Sequence, residues 1–133
     1  MSEADRTAVL ETFDSLFRAL CQDRDPAAAT ALFVDDEDAV MWGSQIDERA
    51  VGQGEIGELH RAIAESPAKV AFRWSDRLVH VEDDVAWVNA AGEVLVELDQ
   101  EPPRIGAYRA IAIIVRRAGA WRWHTFHGSE PTP

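Results

Sequence analysis

Between residues 4 and 20 the apolar positions Val9, Leu10, Phe13, Leu16, Phe17 and Leu20 recur in steps of three and four. That spacing puts one face of a helix on a core. A second, shorter helix is expected over 25–33, where Asp25 can cap the N-terminus and Pro26 takes the first helical position. After the acidic run Asp35-Asp36-Glu37-Asp38, residues 39–43 read as a short strand. Gly52-Gln53-Gly54 then opens a third helix through Ile56, Leu59, His60 and Ile63, which should stop near Ser66-Pro67. From Lys69 onward the period falls from about 3.6 to 2, the change expected where a chain leaves helices for a sheet. Strands are expected over 69–81, 85–98, 105–117 and 120–128, broken by Glu82-Asp83-Asp84, by 99–103 and by Arg117-Ala118-Gly119. The last of these is short enough for a hairpin. Gly92, inside the second long strand, suggests a bulge or bend there. Helices followed by consecutive antiparallel strands make an α+β domain, a curved sheet folded over its helices, and not an alternating βαβ unit. The pattern contains no repeat and no linker, so residues 1–133 read as one domain, with only the tail 130–133 expected to fray.

Composition narrows the function classes. The chain has 133 residues, 24 Asp and Glu against 13 Lys and Arg, and a formal charge of −11. A domain of this size buries roughly two thirds of the surface its unfolded chain exposes and needs no disulfide or metal to hold it together. Residues 1–60 carry 14 acids and 4 bases, whereas 61–133 carry 10 acids and 9 bases. Such a surface repels a polyanion, and no basic stripe interleaved with aromatics offsets it, so nucleic acid is not an expected partner. The single cysteine, Cys21, excludes an internal disulfide and a thiolate metal cluster. The acidic run lacks the spaced ligands and central glycine of a calcium loop and reads as a solvated turn. No stretch approaches the 18 or so apolar residues of a membrane span, and the N-terminal residues lack a basic region followed by an apolar one. The expectation is a cytoplasmic protein away from membranes.

Two local features carry a resemblance. The segment Trp121-Arg122-Trp123-His124-Thr125-Phe126-His127-Gly128-Ser129 is similar to the closing strand of SnoaL-like and calcium/calmodulin-kinase association domains, which often ends in Trp, five residues, His, one residue, Ser; here these are Trp121, His127 and Ser129. Val51-Gly52-Gln53-Gly54-Glu55-Ile56 resembles the glycine turn and helix start that follow the first strand in the same group. Together with the element order, the chain resembles the SnoaL-like branch of the nuclear transport factor 2-like (NTF2-like) superfamily over residues 4–130. The resemblance implies the ketosteroid-isomerase-like cone, with three N-terminal helices packed in a strongly curved mixed or antiparallel sheet, and a homodimer. It does not imply a reaction, because the superfamily hosts many chemistries. Steroid-isomerase-like members place a base carboxylate on the first strand, a tyrosine on the first helix and a protonated acid on a late strand. The corresponding stretches here, Val40-Met41-Trp42-Gly43, Phe13 with Phe17, and 111–114, offer none of these. That chemistry is disfavoured.

Candidate site residues come from the predicted strands. Strict alternation puts His127 on one face with Trp121, Trp123 and Thr125. If that face is concave, His127 is a pocket residue able to act as acid or base; otherwise it is a structural histidine near Ser129. Trp42 and Trp87 are expected to wall the cavity, with Trp123 beside them. Arg109 shares a face with Ile111 and Ile113, where it would meet an acidic ligand, Glu93 or a second protomer. Asn89 shares parity with Trp87 and could orient a polar ligand group. Alternation does not say which face is concave. His60, His80, His124 and His127 lack metal-site spacing, so neither a metal nor another cofactor is expected. No serine lies in a nucleophile elbow, and Gly52-Gln53-Gly54 has no downstream lysine for phosphate. The reading is a pocket between sheet and helices for a small, partly apolar organic ligand, in a binding or association domain that dimerises through its outer sheet face. The alternative is a lyase, isomerase or cyclase with His127 as acid or base.

Overall fold

The computed structural model describes residues 2–133. Helix α1 (Glu3–Phe17) starts at Ser2, whose hydroxyl accepts the Asp5 amide at 3.0 Å, and buries Val9, Phe13, Leu16 and Phe17 as its spacing predicts. The apolar face continues into a π turn (Arg18–Gln22), which buries Ala19 and Leu20. Helix α2 (Pro26–Ala31) is capped by Asp25, whose carboxylate accepts the Ala28 amide at 3.0 Å. Strands β1 (Val40–Trp42) and β2 (Arg49–Val51) form a hairpin, and α3 (Gly52–Glu65) follows directly from β2. The long strands are β3 (Lys69–Glu82), β4 (Val85–Glu97), β5 (Arg104–Arg117) and β6 (Ala120–Ser129). The sheet order is β2-β1-β6-β5-β4-β3, with β1 parallel to β6 and every other pair antiparallel. The architecture is the expected α+β cone: three helices lie against one face of an open, curved, mixed sheet. Among the described residues, no helix is long and apolar enough to cross a membrane.

The face toward the helices is lined in its middle by Ala86, Val88, Ala90, Ala110, Ala112 and Ile114, all buried. Small side chains there let a strongly twisted sheet close around α1. Phe13 sits at the centre, its ring 5.4 Å from those of Trp74 and Trp123, and the fully buried Trp123 donates its indole N–H to the Thr12 carbonyl at 3.0 Å. Truncating Phe13 to alanine would cost about 3–5 kcal/mol. Arg77 ties β3 to α1 through Asp14 at 2.6 Å.

Two irregularities shape the sheet. Opposite Gly92 the register of β3 skips Ser75, so the bulge lies on the partner strand and not at the glycine; a Cβ at Gly92 would run into the Arg73 carbonyl oxygen. In β6, Ile113 pairs with Thr125 and Ile114 with Trp123, which leaves His124 as an extra residue. A β-bulge of this kind inverts every later side chain relative to strict alternation. The tail does not simply fray: Glu130 accepts hydrogen bonds from Ser44 Oγ at 2.6 Å and Gln45 Nε2 at 2.7 Å.

Candidate functional site

The bulge at His124 corrects the parity expected for the closing strand. Trp121, Trp123 and Phe126 are buried on the helix side, whereas Thr125 pairs in the outer-facing register and His127 is exposed. Trp123 is therefore a core residue and not a cavity wall beside His127. Trp42 and Trp87 also lie on the outer face: Trp42 meets His127 edge-on at 6.0 Å under the Arg49 guanidinium, and Trp87 stacks on His80 at 4.4 Å.

Asn89, Arg109 and His127 do come together, but outside the cone. Asn89 pairs with Ile111 and Ile111 with His127, and Arg109 is one row away opposite Ser129. With Asp76 and Leu78 they line an open groove of about 350 Å³. Among the described residues Arg109 has no carboxylate partner, so the ion pair with Glu93 is absent. The acidic run is more engaged than a solvated turn. Asp36 binds Arg117 with both oxygens at 3.0 Å, which holds its carboxyl below the usual range, and Asp38 lies 3.4 Å from His124 Nε2.

The space between sheet and helices is built from other residues. Phe17, Leu20 and Cys21 approach from α1 and the π turn, Leu59 and Ile63 from α3, Met41, Val70, Phe72, Tyr108 and Phe126 from the sheet, around a cavity of about 100 Å³. At its edge are Gly43 and Glu48, the two ends of the β1–β2 connection. The Gly43 amide donates to the Glu48 carbonyl at 2.7 Å, and the Glu48 carboxylate folds back to accept the Gln45 amide at 2.9 Å. A Cβ on Gly43 would meet Glu48 Oε1 at 2.9 Å, so the glycine makes the space in which the carboxylate lies. Burial raises the pKa of Glu48, the Gln45 amide opposes that shift, and neighbouring Asp47 and Glu130 reinforce it.

Tyr108 is the second polar group on this cavity. Its hydroxyl is pushed up to about 12 by burial, with a hydrogen bond to Ser44 acting the other way and the charges of Glu48 and Glu130 adding to the rise. Gly128, on the adjacent strand, makes room for that hydroxyl, which a Cβ would strike. Behind the cavity, the fully buried His60 places Nδ1 2.8 Å from Thr30 Oγ1 and Nε2 2.9 Å from Met41 Sδ. Burial lowers its pKa to about 4, so the ring is neutral. The arrangement offers an apolar chamber with one carboxylate of raised proton affinity and one phenol, the pairing that can hold or move a single proton on an otherwise apolar molecule.

Sequence reasoning missed Glu48 and Tyr108. No periodicity or motif singles out Glu48, and the one signal near it is Gly43, five residues before. Tyr108 is the chain's single tyrosine and lies on the small-residue face of β5, which alternation does not identify as concave.

The family model for the SnoaL-like domain matches residues 9–133. No curated protein matches the sequence. Among solved structures, an NTF2-like family protein from Streptomyces avermitilis superposes with a TM-score of 0.84 at 19% identity, covering 100% of both chains. An NTF2-like protein of unknown function from Pseudomonas putida KT2440 gives a TM-score of 0.80 at 19% identity, covering 100% of this chain and 91% of that one. The hexachlorocyclohexane dehydrochlorinase LinA-type3 from Novosphingobium barchaimii LL02 gives 0.80 at 15% identity, covering 97% and 88%. At these identities the likeness is one of fold.

Proposed function

The chain belongs to the SnoaL-like domain family, and from its cone we propose that it binds a small, largely apolar organic molecule inside the cavity, with Glu48 and Tyr108 meeting the polar end. The observation that carries this reading is Glu48: a carboxylate folded over Gly43 onto an apolar chamber, its charged form disfavoured by burial. The volume of about 100 Å³ suits a ligand of a few carbon atoms up to a single ring. Thermal-shift and calorimetric titration with a panel of small cyclic alcohols, phenols and ketones tests it. Binding by the wild type and loss of binding in Ile63→Phe, which fills the chamber, is the expected result; equal binding by both proteins would refute the site.

The same pair of groups favours chemistry of the elimination or isomerisation class as a second reading, in which Glu48 abstracts a proton and Tyr108 supports the developing negative charge. The solved structure named a dehydrochlorinase shows that this fold accommodates such a reaction elsewhere. In this reading the acid or base is Glu48, since His127 faces away from the chamber.

The outer face supports self-association. Leu78, Trp87 and Ile111 are 65%, 37% and 47% exposed on adjacent strands, in a region of few charges on a chain of −11. Asp76 and Arg109 line the same groove, and neither has an ion-pair partner among the described residues. A two-fold axis through this face would bury the apolar row and set each Arg109 toward the partner copy's acidic side, the self-complementarity an isologous interface needs.

A further inference from the structure

Arg24 is placed unlike any other cation of the chain. It follows the π turn with a left-handed φ of 49°, a conformation costly for a residue with a Cβ. Its guanidinium reaches some forty residues along the chain and donates to four carbonyls in one short segment: Ile63 at 3.4 Å, Ala64 at 2.8 Å, Ser66 at 2.6 Å and Ala68 at 3.1 Å. The first two belong to the last turn of α3, where the Ile63 carbonyl also accepts the Ser66 amide at 3.3 Å, so part of the role is to cap that helix. Capping alone does not account for the location.

Arg24, Ser66 and Ala68 form the rim of a recess of about 130 Å³ whose floor is Cys21, Glu48, Ile63 and Val70. Those four floor residues also line the interior cavity. The recess and the cavity therefore adjoin, and a path from solvent to the cavity through the recess runs past Arg24 and then between Cys21 and Glu48. The two segments flanking this path are the π turn and the α3–β3 junction, which are the segments that Arg24 ties together. The π turn is itself a slack point, its amide-to-carbonyl bond from Asp23 to Arg18 spanning five residues.

We propose that this recess is the entrance to the ligand cavity and that Arg24 is the latch that keeps it shut. The proposal rests on the reading of the cavity as a ligand site, and makes Arg24 a positioning residue: it touches no ligand and controls passage by holding the α3–β3 junction against the π turn.

Cys21, the chain's single cysteine, lies where recess and cavity meet and reports opening without any ligand. The experiment follows methyl methanethiosulfonate labelling of Cys21 by mass spectrometry in wild type and in Arg24→Lys. Lysine keeps the positive charge beside the thiol but cannot span four carbonyls. The expected result is labelling at least tenfold faster in Arg24→Lys, with a rate that does not change between zero urea and concentrations well below the unfolding midpoint. An unchanged rate overturns the proposal, as does a rate that rises with urea in step with global unfolding, the signature of a cap that merely stabilises. If Arg24→Lys does not fold, the wild type decides: urea-independent labelling below the midpoint supports a local latch, and labelling that tracks global unfolding refutes it. Because no ligand is used, a cavity that bound nothing in the titrations above would leave this result readable.

Discussion

His60 on α3 sets its Nε2 2.9 Å from the sulfur of Met41 on β1, in a site with no access to water. The contact fastens the helix behind the cavity to a strand that lines it, and the burial around it disfavours a charged ring. Burial depresses the His60 pKa to about 4, against about 6.5 in an unfolded chain. In that window the unfolded state binds more protons than the native one, so stability rises with pH. The contribution is complete above about pH 6.5 and is lost as pH falls toward 4, by a total on the order of 3 kcal/mol. Urea unfolding at half-unit pH steps should show this slope in the wild type, and His60→Gln should flatten it. Parallel slopes for the two proteins would mean that His60 does not titrate on unfolding.

Gly128→Ala should destabilise the fold by about 1–3 kcal/mol, because the new methyl occupies the position of the Tyr108 hydroxyl. The neighbouring strands cannot separate to relieve it without breaking the β5–β6 ladder. Tyr108→Phe removes the oxygen and should recover part of the loss when combined with Gly128→Ala, although the ring edge remains close. A double-mutant cycle from urea denaturation measures the coupling. Strict additivity would mean that the collision is relieved elsewhere.

The long elements were legible because each repeats its period several times: the apolar steps of α1, the alternation of β4 and β5 and the Asp25-Pro26 start of α2 all correspond to observed structure. Strand β2 was not legible, since Arg49-Ala50-Val51 follows two acids with no apolar run of its own, whereas β1 lies in the apolar run 39–42. The site was largely hidden for two physical reasons. Alternation separates two faces of a strand but does not say which is concave; that information lay in the size of the side chains, with Ala86, Ala90, Ala110 and Ala112 on the side the sheet wraps around. One extra residue, His124, then inverted the closing strand, and the trace of it is the shift of bulky positions from Trp121 and Trp123 to Phe126. Without that shift His127 would indeed share a face with the tryptophans. Glu48 escaped notice because its position depends on a fold-back over Gly43, a relation of loop geometry that no periodicity records.

Glu48 titrates above the usual carboxylate range because burial disfavours its charge. A neutral hydrogen-bond-donating ligand held by the carboxylate should bind more tightly as pH rises through that raised pKa, and Glu48→Gln should remove the dependence. The same variant should be at least as stable as the wild type at neutral pH, since it no longer leaves a charge partly desolvated. If the cone also abstracts protons, a ligand ketone will exchange its α-hydrogens with deuterated water in the wild type and not in Glu48→Gln, as read by mass spectrometry. Exchange at equal rates in the two proteins would remove Glu48 as the base.

The outer face gives the sharpest contrast between two substitutions of equal size. Leu78 and Ile111 flank Asn89 on neighbouring strands, both largely exposed, so a charge placed on either costs the monomer little. In a dimer closed through this face each would be buried twice, once per copy, and Ile111→Glu would bring like charges together near the axis. Sedimentation at micromolar concentration should therefore give a dimer for the wild type and a species of 14.8 kDa for Ile111→Glu, with unchanged circular dichroism. Ile46→Glu, at a fully exposed apolar residue at the tip of the β1–β2 hairpin, should remain a dimer. A wild-type monomer at these concentrations, or dissociation by Ile46→Glu and not by Ile111→Glu, would move the interface off the sheet.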